Sequence, residues 1–199
     1  MDLEGYPKYL PLKGEEQVII RPLKATDEAG LLDFFSVLPE QDRLFLREDV
    51  TRPEVIQGFV QNIDFDSVMP LLAEHEGKIV GDATLHLTRH GWTRHVGQIR
   101  MVVARKFQHR GLGTAMARCL VRHAVSLGLD KLLAEVVDNQ IAAKRAFEKL
   151  GFKQEAVLRN QVRDIHGVKR NLVILSNDVS HIWETMEAMV ADFSPTYGG

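Results

Sequence analysis

The chain has 199 residues, 25 basic against 27 acidic side chains, a net charge of −2 and one cysteine. That length suits roughly one domain with a full core, and the balanced charge argues against a dedicated nucleic-acid binder. A single cysteine excludes an internal disulfide and suits a reducing cytoplasm, and no apolar run approaches the ~18 residues of a membrane span.

The opening MDLEGYPKYLPLKGEE has no signal-peptide core and reads as an irregular arm over 1–16. EQVIIRPL, ending at Leu23, is the first predicted strand. Thr26 fits a helix N-cap, with Asp27 and Glu28 in the first turn, where the helix dipole favours acids. Leu31, Leu32, Phe34, Phe35 and Leu38 then give a helical apolar face that stops at Pro39. Pro53 opens a second helix carrying Val55, Ile56, Phe59, Val60 and Ile63. SVMPLLAEH and KIVGDATLHL flank Glu76-Gly77 as a hairpin, and His95–Ala104 is the next strand. A helix over Leu112–Leu127 closes at Gly128. KLLAEVV, 131–137, is a short, mostly apolar strand. Asp138 or Asn139 caps a helix that runs to Leu150 and stops at Gly151. FKQEAVLRNQVRD and VKRNLVILSND surround His166-Gly167 as a second hairpin. A last helix over 180–193 lines up Ile182, Trp183, Met186, Met189, Val190 and Phe193. Antiparallel ribbons joined by an α/β crossover predict a mixed α/β fold, its central sheet mostly antiparallel and flanked by helices.

The segment QHRGLGT joins a predicted strand to a predicted helix. Amides at a helix N-terminus lack intrahelical partners, and glycine lets a bulky anion approach the backbone. A plain strand–turn–helix would also use these glycines. The Walker form is excluded because neither glycine precedes lysine, and the dinucleotide form is excluded because Met116 stands where its third small residue belongs.

Gln108-His109-Arg110-Gly111-Leu112-Gly113 resembles the acyl-CoA signature of the GNAT superfamily, the Gcn5-related N-acetyltransferases. IRMVVARKFQHRGLGTAM is similar to that family's fourth strand, pyrophosphate loop and third helix. LLAEVVDNQIAAKRAFEKLGF resembles its fifth strand and fourth helix, and EAVLRNQVRDIHGVKRNLVILS its final hairpin. The likeness spans Val18 to Asp178, which sets the expected domain at 17–178, with an arm before it and a helix and tail over 179–199.

The resemblance implies a V-shaped splay between the family's strands 4 and 5 that takes the pantetheine arm of acetyl-CoA, with no metal. It assigns main-chain pairing to Met101, Val102 and Val103. It assigns the pyrophosphate to Gln108, His109, Arg110, Gly111, Leu112, Gly113 and Thr114. An Asn at the start of the fourth helix bonds the pantetheine in the family; Asn139 is the candidate, although gapless spacing lands on Gln140. Lys144 and Arg145 stand where they can meet the CoA 3′-phosphate or simply solvent.

The implied reaction is direct attack of an amine on the thioester. It needs a base, a stabilised oxyanion and a protonated leaving thiolate. The family's usual acid is a Tyr on the fourth helix, and here that position is Phe147, a candidate to pack on the pantetheine or acetyl group. Tyr6, Tyr9 and Tyr197 all lie near the chain ends. Glu135 is the leading base: the one acid in an apolar strand, twelve residues before Phe147, the spacing of the catalytic Glu in the family's N-terminal acetylases. A structural carboxylate is its alternative. His86 and His95 are weaker candidates, and the histidines show no metal-ligand spacing. Cys119 reads as core.

In the family the acceptor is chosen by the region of the first two helices and by the final hairpin, which the resemblance places at LPEQDRLFLREDV, Asp64, Asp66 and RNQVRDIHG. Glu40, Asp42, Glu48, Asp49, Asp64 and Asp66 suit a cationic amine or polyamine, or simply form a solvated acidic surface; Arg43, Arg47 and Arg52 suit a carboxylate-bearing acceptor such as an amino acid. The expected activity is acetyl transfer to a small-molecule amine or a peptide N-terminus in the cytoplasm. An acyl-CoA sensor without turnover is the alternative. No nucleic-acid or membrane partner is expected, and the last helix packs on its own sheet or on a homodimer partner.

Overall fold

The computed structural model describes residues 5–12, 16–43, 46, 48–164 and 166–184. Its strands are β1 (Lys8–Pro11), β2 (Gln17–Pro22), β3 (Val68–His75), β4 (Lys78–Leu87), β5 (Val96–Val103), β6 (Lys131–Val137), β7 (Lys153–Arg163) and β8 (Lys169–Asp178). Its helices are α1 (Glu28–Val37), α2 (Glu40–Arg43), α3 (Pro53–Gln61), α4 (Leu112–Ser126) and α5 (Ile141–Lys149). One sheet holds all eight strands in the order β1-β2-β3-β4-β5-β6-β8-β7. The β5–β6 pair alone is parallel, joined by the α4 crossover that parallel neighbours require.

Each face of the sheet carries its own core. On one face α4 and α5 bury Leu112, Met116, Leu120 and Phe147 against Leu85, Ile99, Ala134 and Leu175. On the other, α1 and α3 bury Leu31, Phe34, Ile56 and Val60 against Leu23 and Leu72. The α1 end is anchored electrostatically. Burial alone would raise the Asp27 carboxyl, but two bonds from Arg21, at 2.7 and 2.8 Å, and one from the Lys24 amide hold it below its usual range.

Several expected boundaries shift. The N-terminal arm is not wholly irregular: Lys8–Pro11 pairs antiparallel with β2 and extends the sheet edge. Four residues that follow one proline and end on another carry too short an alternation to announce a strand. Residues 25–27 form a 3₁₀ turn, so Asp27 rather than Thr26 precedes α1. The α5 N-cap is Gln140, not Asp138 or Asn139. The extra helix α2 spans only one turn. The closing helix is described over 179–184, where Ile182 is fully buried and Trp183 lies over the Arg122 guanidinium at 5.8 Å. Met186, Met189, Val190, Phe193 and Tyr197 lie outside the described residues.

Candidate active site

The parallel ladder between β5 and β6 runs from Val96 opposite Lys131 to Ile99 opposite Ala134, and ends there. Each strand stays paired on its other side, β5 with β4 as far as Val103 and β6 with β8 as far as Val137. The sheet therefore opens into a V between its two central strands. Met101, Val102 and Val103 form one half-buried wall of that gap. At its far end the Val103 carbonyl accepts a bond from Gln108 Nε2 at 2.8 Å.

Beyond β5 the chain makes a 3₁₀ turn over Arg105–Phe107 and enters the left-handed region at His109 and Gly111, with φ of 60° and 95°. Gly111 is the α4 N-cap, and the Ala115 amide makes the first helical bond to its carbonyl at 3.0 Å. The amides of Leu112, Gly113 and Thr114 come before that bond and lie at the positive end of the helix dipole. A Cβ on Gly111 would meet nothing within 4 Å, so its glycine answers to backbone conformation. A Cβ on Gly113 would sit an ordinary 3.6 Å from Met101 Cε. The protein itself does not require glycine there, whereas close approach by a diphosphate would.

The cations near this turn are already engaged. Arg110 and Lys106 both pair with Glu16, the latter at 3.6 Å. Burial pushes the Glu16 carboxyl up, but Arg110 and Lys106 outweigh that and hold it below its ordinary range. Arg105 turns instead to Asp42 on α2, at 3.0 Å.

On the α5 side the predicted residues separate. Asn139 is exposed. The Gln140 side-chain oxygen accepts the Val137 amide at 2.8 Å, so its carbonyl closes the local turn. Lys144 donates to Gln154 on β7 at 2.9 Å. Phe147 is buried edge-on against Phe152, with ring centroids 5.2 Å apart. No tyrosine hydroxyl replaces the missing acid among the described residues. Tyr6 does fold back, but onto α4, stacked on His123 at 5.9 Å and beside the buried Cys119.

Glu135 is the first β6 residue past the end of the parallel ladder. Its neighbours Ala134 and Val136 belong to the core under α4 and α5, so Glu135 faces the opposite side, half-buried. On that side β4 and β5 present a polar row. Thr84 Oγ1 meets His86 Nε2 at 3.0 Å, and Arg100 donates to Gln98 at 3.2 Å. His95 is exposed in the turn before β5. Asp82 joins this face and was missed by the sequence reading. It stands opposite Leu72 on β3 and Val102 on β5, and burial pushes its carboxyl up to about 7. A lone acid in VGDATL is the same kind of signal that marks Glu135.

Most of the expected acceptor acids have protein partners. Asp64 and Asp66 both hold Arg89, at 2.6 and 3.1 Å, and Asp49 accepts from Thr51. Glu40 pairs with His166 of the β7–β8 turn at 3.2 Å. Arg52 sits 3.5 Å from Glu54, and Arg47 lies outside the described residues. Among the described residues no group of three His, Cys, Asp or Glu is placed to hold a metal, and no helix is long and apolar enough to cross a membrane.

Solved structures share this architecture. The GNAT domain of Streptomyces lividans PAT matches with a TM-score of 0.73 at 17% identity, over 89% of this chain and 99% of that one. Mycobacterium smegmatis RimJ, in complex with CoA-disulfide, matches at 0.73 and 21% identity, over 95% and 96%. A ribosomal-protein-S5-alanine acetyltransferase from Vibrio fischeri matches at 0.72 and 14%, over 81% and 92%. At such identities the likeness is one of fold. The model of the acetyltransferase (GNAT) family itself matches residues 33–152. That span holds the opened central strands, the glycine turn and Glu135, and the chain belongs to the GNAT acetyltransferase family.

Proposed function

We propose that this protein is an acetyl-CoA-dependent N-acetyltransferase acting on a primary amine of a small molecule or of a peptide N-terminus. The observation that carries the proposal is the gap beyond Ile99 and Ala134. It leads from the amides at the α4 start to a carboxylate, Glu135, at its inner end. The fit to the coenzyme rests on Gly111 and Gly113, which leave the amides of Leu112, Gly113 and Thr114 open to a diphosphate. Gln108, His109 and Arg110 frame that cradle. Met101, Val102 and Val103 offer a strand edge to the pantetheine amides, and Asn139 stands exposed at the start of α5. Bound acetyl-CoA supplies an activated acyl carbon. Glu135 accepts the proton of the incoming ammonium, directly or through water, so that a neutral amine faces the gap; as the C–N bond forms and the thioester C–S bond breaks, the nitrogen loses a proton to solvent and CoA leaves as a thiolate that water protonates. Lys144 and Phe147 act in this reading as supports: one ties α5 to β7, the other fills the core beneath the gap.

The burial of Phe147 favours a second reading, an acyl-CoA sensor without turnover. Release of free CoA thiol with a panel of amines decides between them. Thiol release that Glu135→Gln abolishes supports transfer. Heat of acetyl-CoA binding without thiol release from any amine supports the sensor.

A further inference from the structure

Asp82 is an unusual carboxyl. Its neighbours in register, Leu72 and Val102, pack into the apolar layer beneath α1 and α3. Asp82 is half-buried, desolvation pushes its carboxyl up, and among the described residues it makes no hydrogen bond or ion pair. On the same face stand His86, Arg100 and Glu135, and two strands away Arg21, which is level with Leu72 and held by Asp27 and Glu74. His86 bonds Thr84 and Arg100 bonds Gln98. An acid without a partner in an apolar setting is costly, and such arrangements concentrate where a ligand supplies the missing charge.

Its position relative to Glu135 follows from the ladders. One step past Ile99 opposite Ala134, Arg100 is level with Glu135, and Arg100 is paired with Thr84 on β4. Asp82 lies two residues further along β4, on the same face. Strands about 4.8 Å apart and a rise of about 3.3 Å per residue put the two backbone positions at least about 12 Å from each other, since β5 and β6 diverge past Ile99 and Ala134. With each carboxylate about 3 Å from its cation, at least about 6 Å is left between two nitrogens. That is about the length of a four- or five-carbon diamine.

Resting on the acetyl-transfer reading, we infer that Asp82 is an acceptor-binding residue that takes a second positive charge of the substrate, so that the preferred acceptor is a diamine or polyamine. The amine to be acetylated enters beside Glu135 while the distal ammonium pairs with Asp82. Pairing converts the uncompensated acid into a half-buried ion pair, which raises affinity for dications over monoamines of equal length.

The test compares 1,4-diaminobutane and 1,5-diaminopentane with 1-aminobutane, following CoA thiol release at pH 8. The wild type is expected to favour the diamines at least tenfold in kcat/KM. Asp82→Asn should bring that ratio close to one, and Asp82→Glu should restore part of it. A wild type without diamine preference, or an unchanged ratio in Asp82→Asn, overturns the inference. A second readout needs no turnover: the rise in melting temperature on adding 1,4-diaminobutane. A rise in the wild type that Asp82→Asn abolishes supports the inference, and equal rises, or none in the wild type, overturn it. If no amine yields thiol, the acetyl-transfer reading falls, and the melting shift still decides whether Asp82 binds dications.

Discussion

His166 Nε2 stands 3.2 Å from Glu40 Oε1, joining the β7–β8 turn to α2. Asp42, on the same short helix, holds Arg105 just past the end of β5. A single helical turn is thus tied at both ends, to the loop after one central strand and to the hairpin beside the other. Both residues of the His166 pair are exposed, so the contact contributes little to global stability. Its effect is expected in substrate handling. Glu40→Gln should change the acceptor KM by about two- to fivefold, with the acetyl-CoA Kd unchanged. Paired steady-state and calorimetric titrations measure this; a changed coenzyme affinity would place the strap's influence elsewhere.

Glu135→Gln keeps the shape of the side chain and removes its basicity. Loss of a positioned general base costs about 10²–10⁴ in kcat. Acetyl-CoA binding should be intact, since the proposed diphosphate cradle is at the other end of the gap. A variant retaining near-wild-type kcat would leave Glu135 as a structural carboxylate.

Gly111 adopts φ of 95° with nothing within 4 Å of a would-be Cβ. Gly111→Ala therefore clashes with no neighbour and strains only the backbone, by about 1–2 kcal/mol. A modest drop in melting temperature is expected, together with a loss of acetyl-CoA affinity of about tenfold or more as the α4 amides tilt. Gly113→Val separates the two effects. Its bulk should impair coenzyme binding without a positive-φ penalty, because φ at Gly113 is ordinary.

Arg110 and Lys106 both meet the Glu16 carboxylate beside the glycine turn. If that turn takes the diphosphate as proposed, the anion shares or displaces Glu16. Glu16→Gln should tighten acetyl-CoA binding several-fold at low salt, and the gain should shrink as ionic strength rises. Weaker binding in the variant would mean that Glu16 positions Arg110 rather than withholding it.

The pH dependence of stability carries the signature of Asp82. Its carboxyl titrates at about 7 when folded, against a reference of 3.8. Between these values the folded state holds a proton that the unfolded chain has released. This group therefore lowers stability as pH rises through that window, and its effect levels off above about 7. Asp82→Asn removes the effect. The variant should overtake the wild type in chemical denaturation as pH climbs from 4 to 7, by on the order of 2 kcal/mol, about half of what the full rise would give, because the side chain is only half-buried. Parallel curves would show that the carboxyl is better solvated than its setting between Leu72 and Val102 implies. A gain in stability with a loss of function is the expected trade at a binding site.

Much of the site was legible because its signals are local. A strand, two glycines at fixed spacing and an amphipathic helix specify an open helix N-terminus wherever they fold, and QHRGLGT did so at Gly111. Glu135 stood out as one acid in seven otherwise largely apolar residues. Asp82 carried a similar signal, but it lay in a strand assigned to a hairpin remote from the motif. Only the register of β4 against β5 brings it to the same face. The acidic loop misled for the opposite reason. Asp64 and Asp66 are close in sequence to nothing basic, yet Arg89, some 25 residues on, is folded against them.

The sequence by itself determined most of the elements from β2 to β8 and the glycine turn, because periodicity, capping and turn chemistry act over a few residues, and its motifs carried the resemblance to the family. Tertiary structure decided which charges remain available. It gave Arg110 to Glu16, Lys144 to Gln154 and Phe147 to the core, made a strand of the arm, and left Asp82 without a partner. Ion pairing and desolvation depend on distances between residues far apart along the chain, and no local pattern encodes those distances.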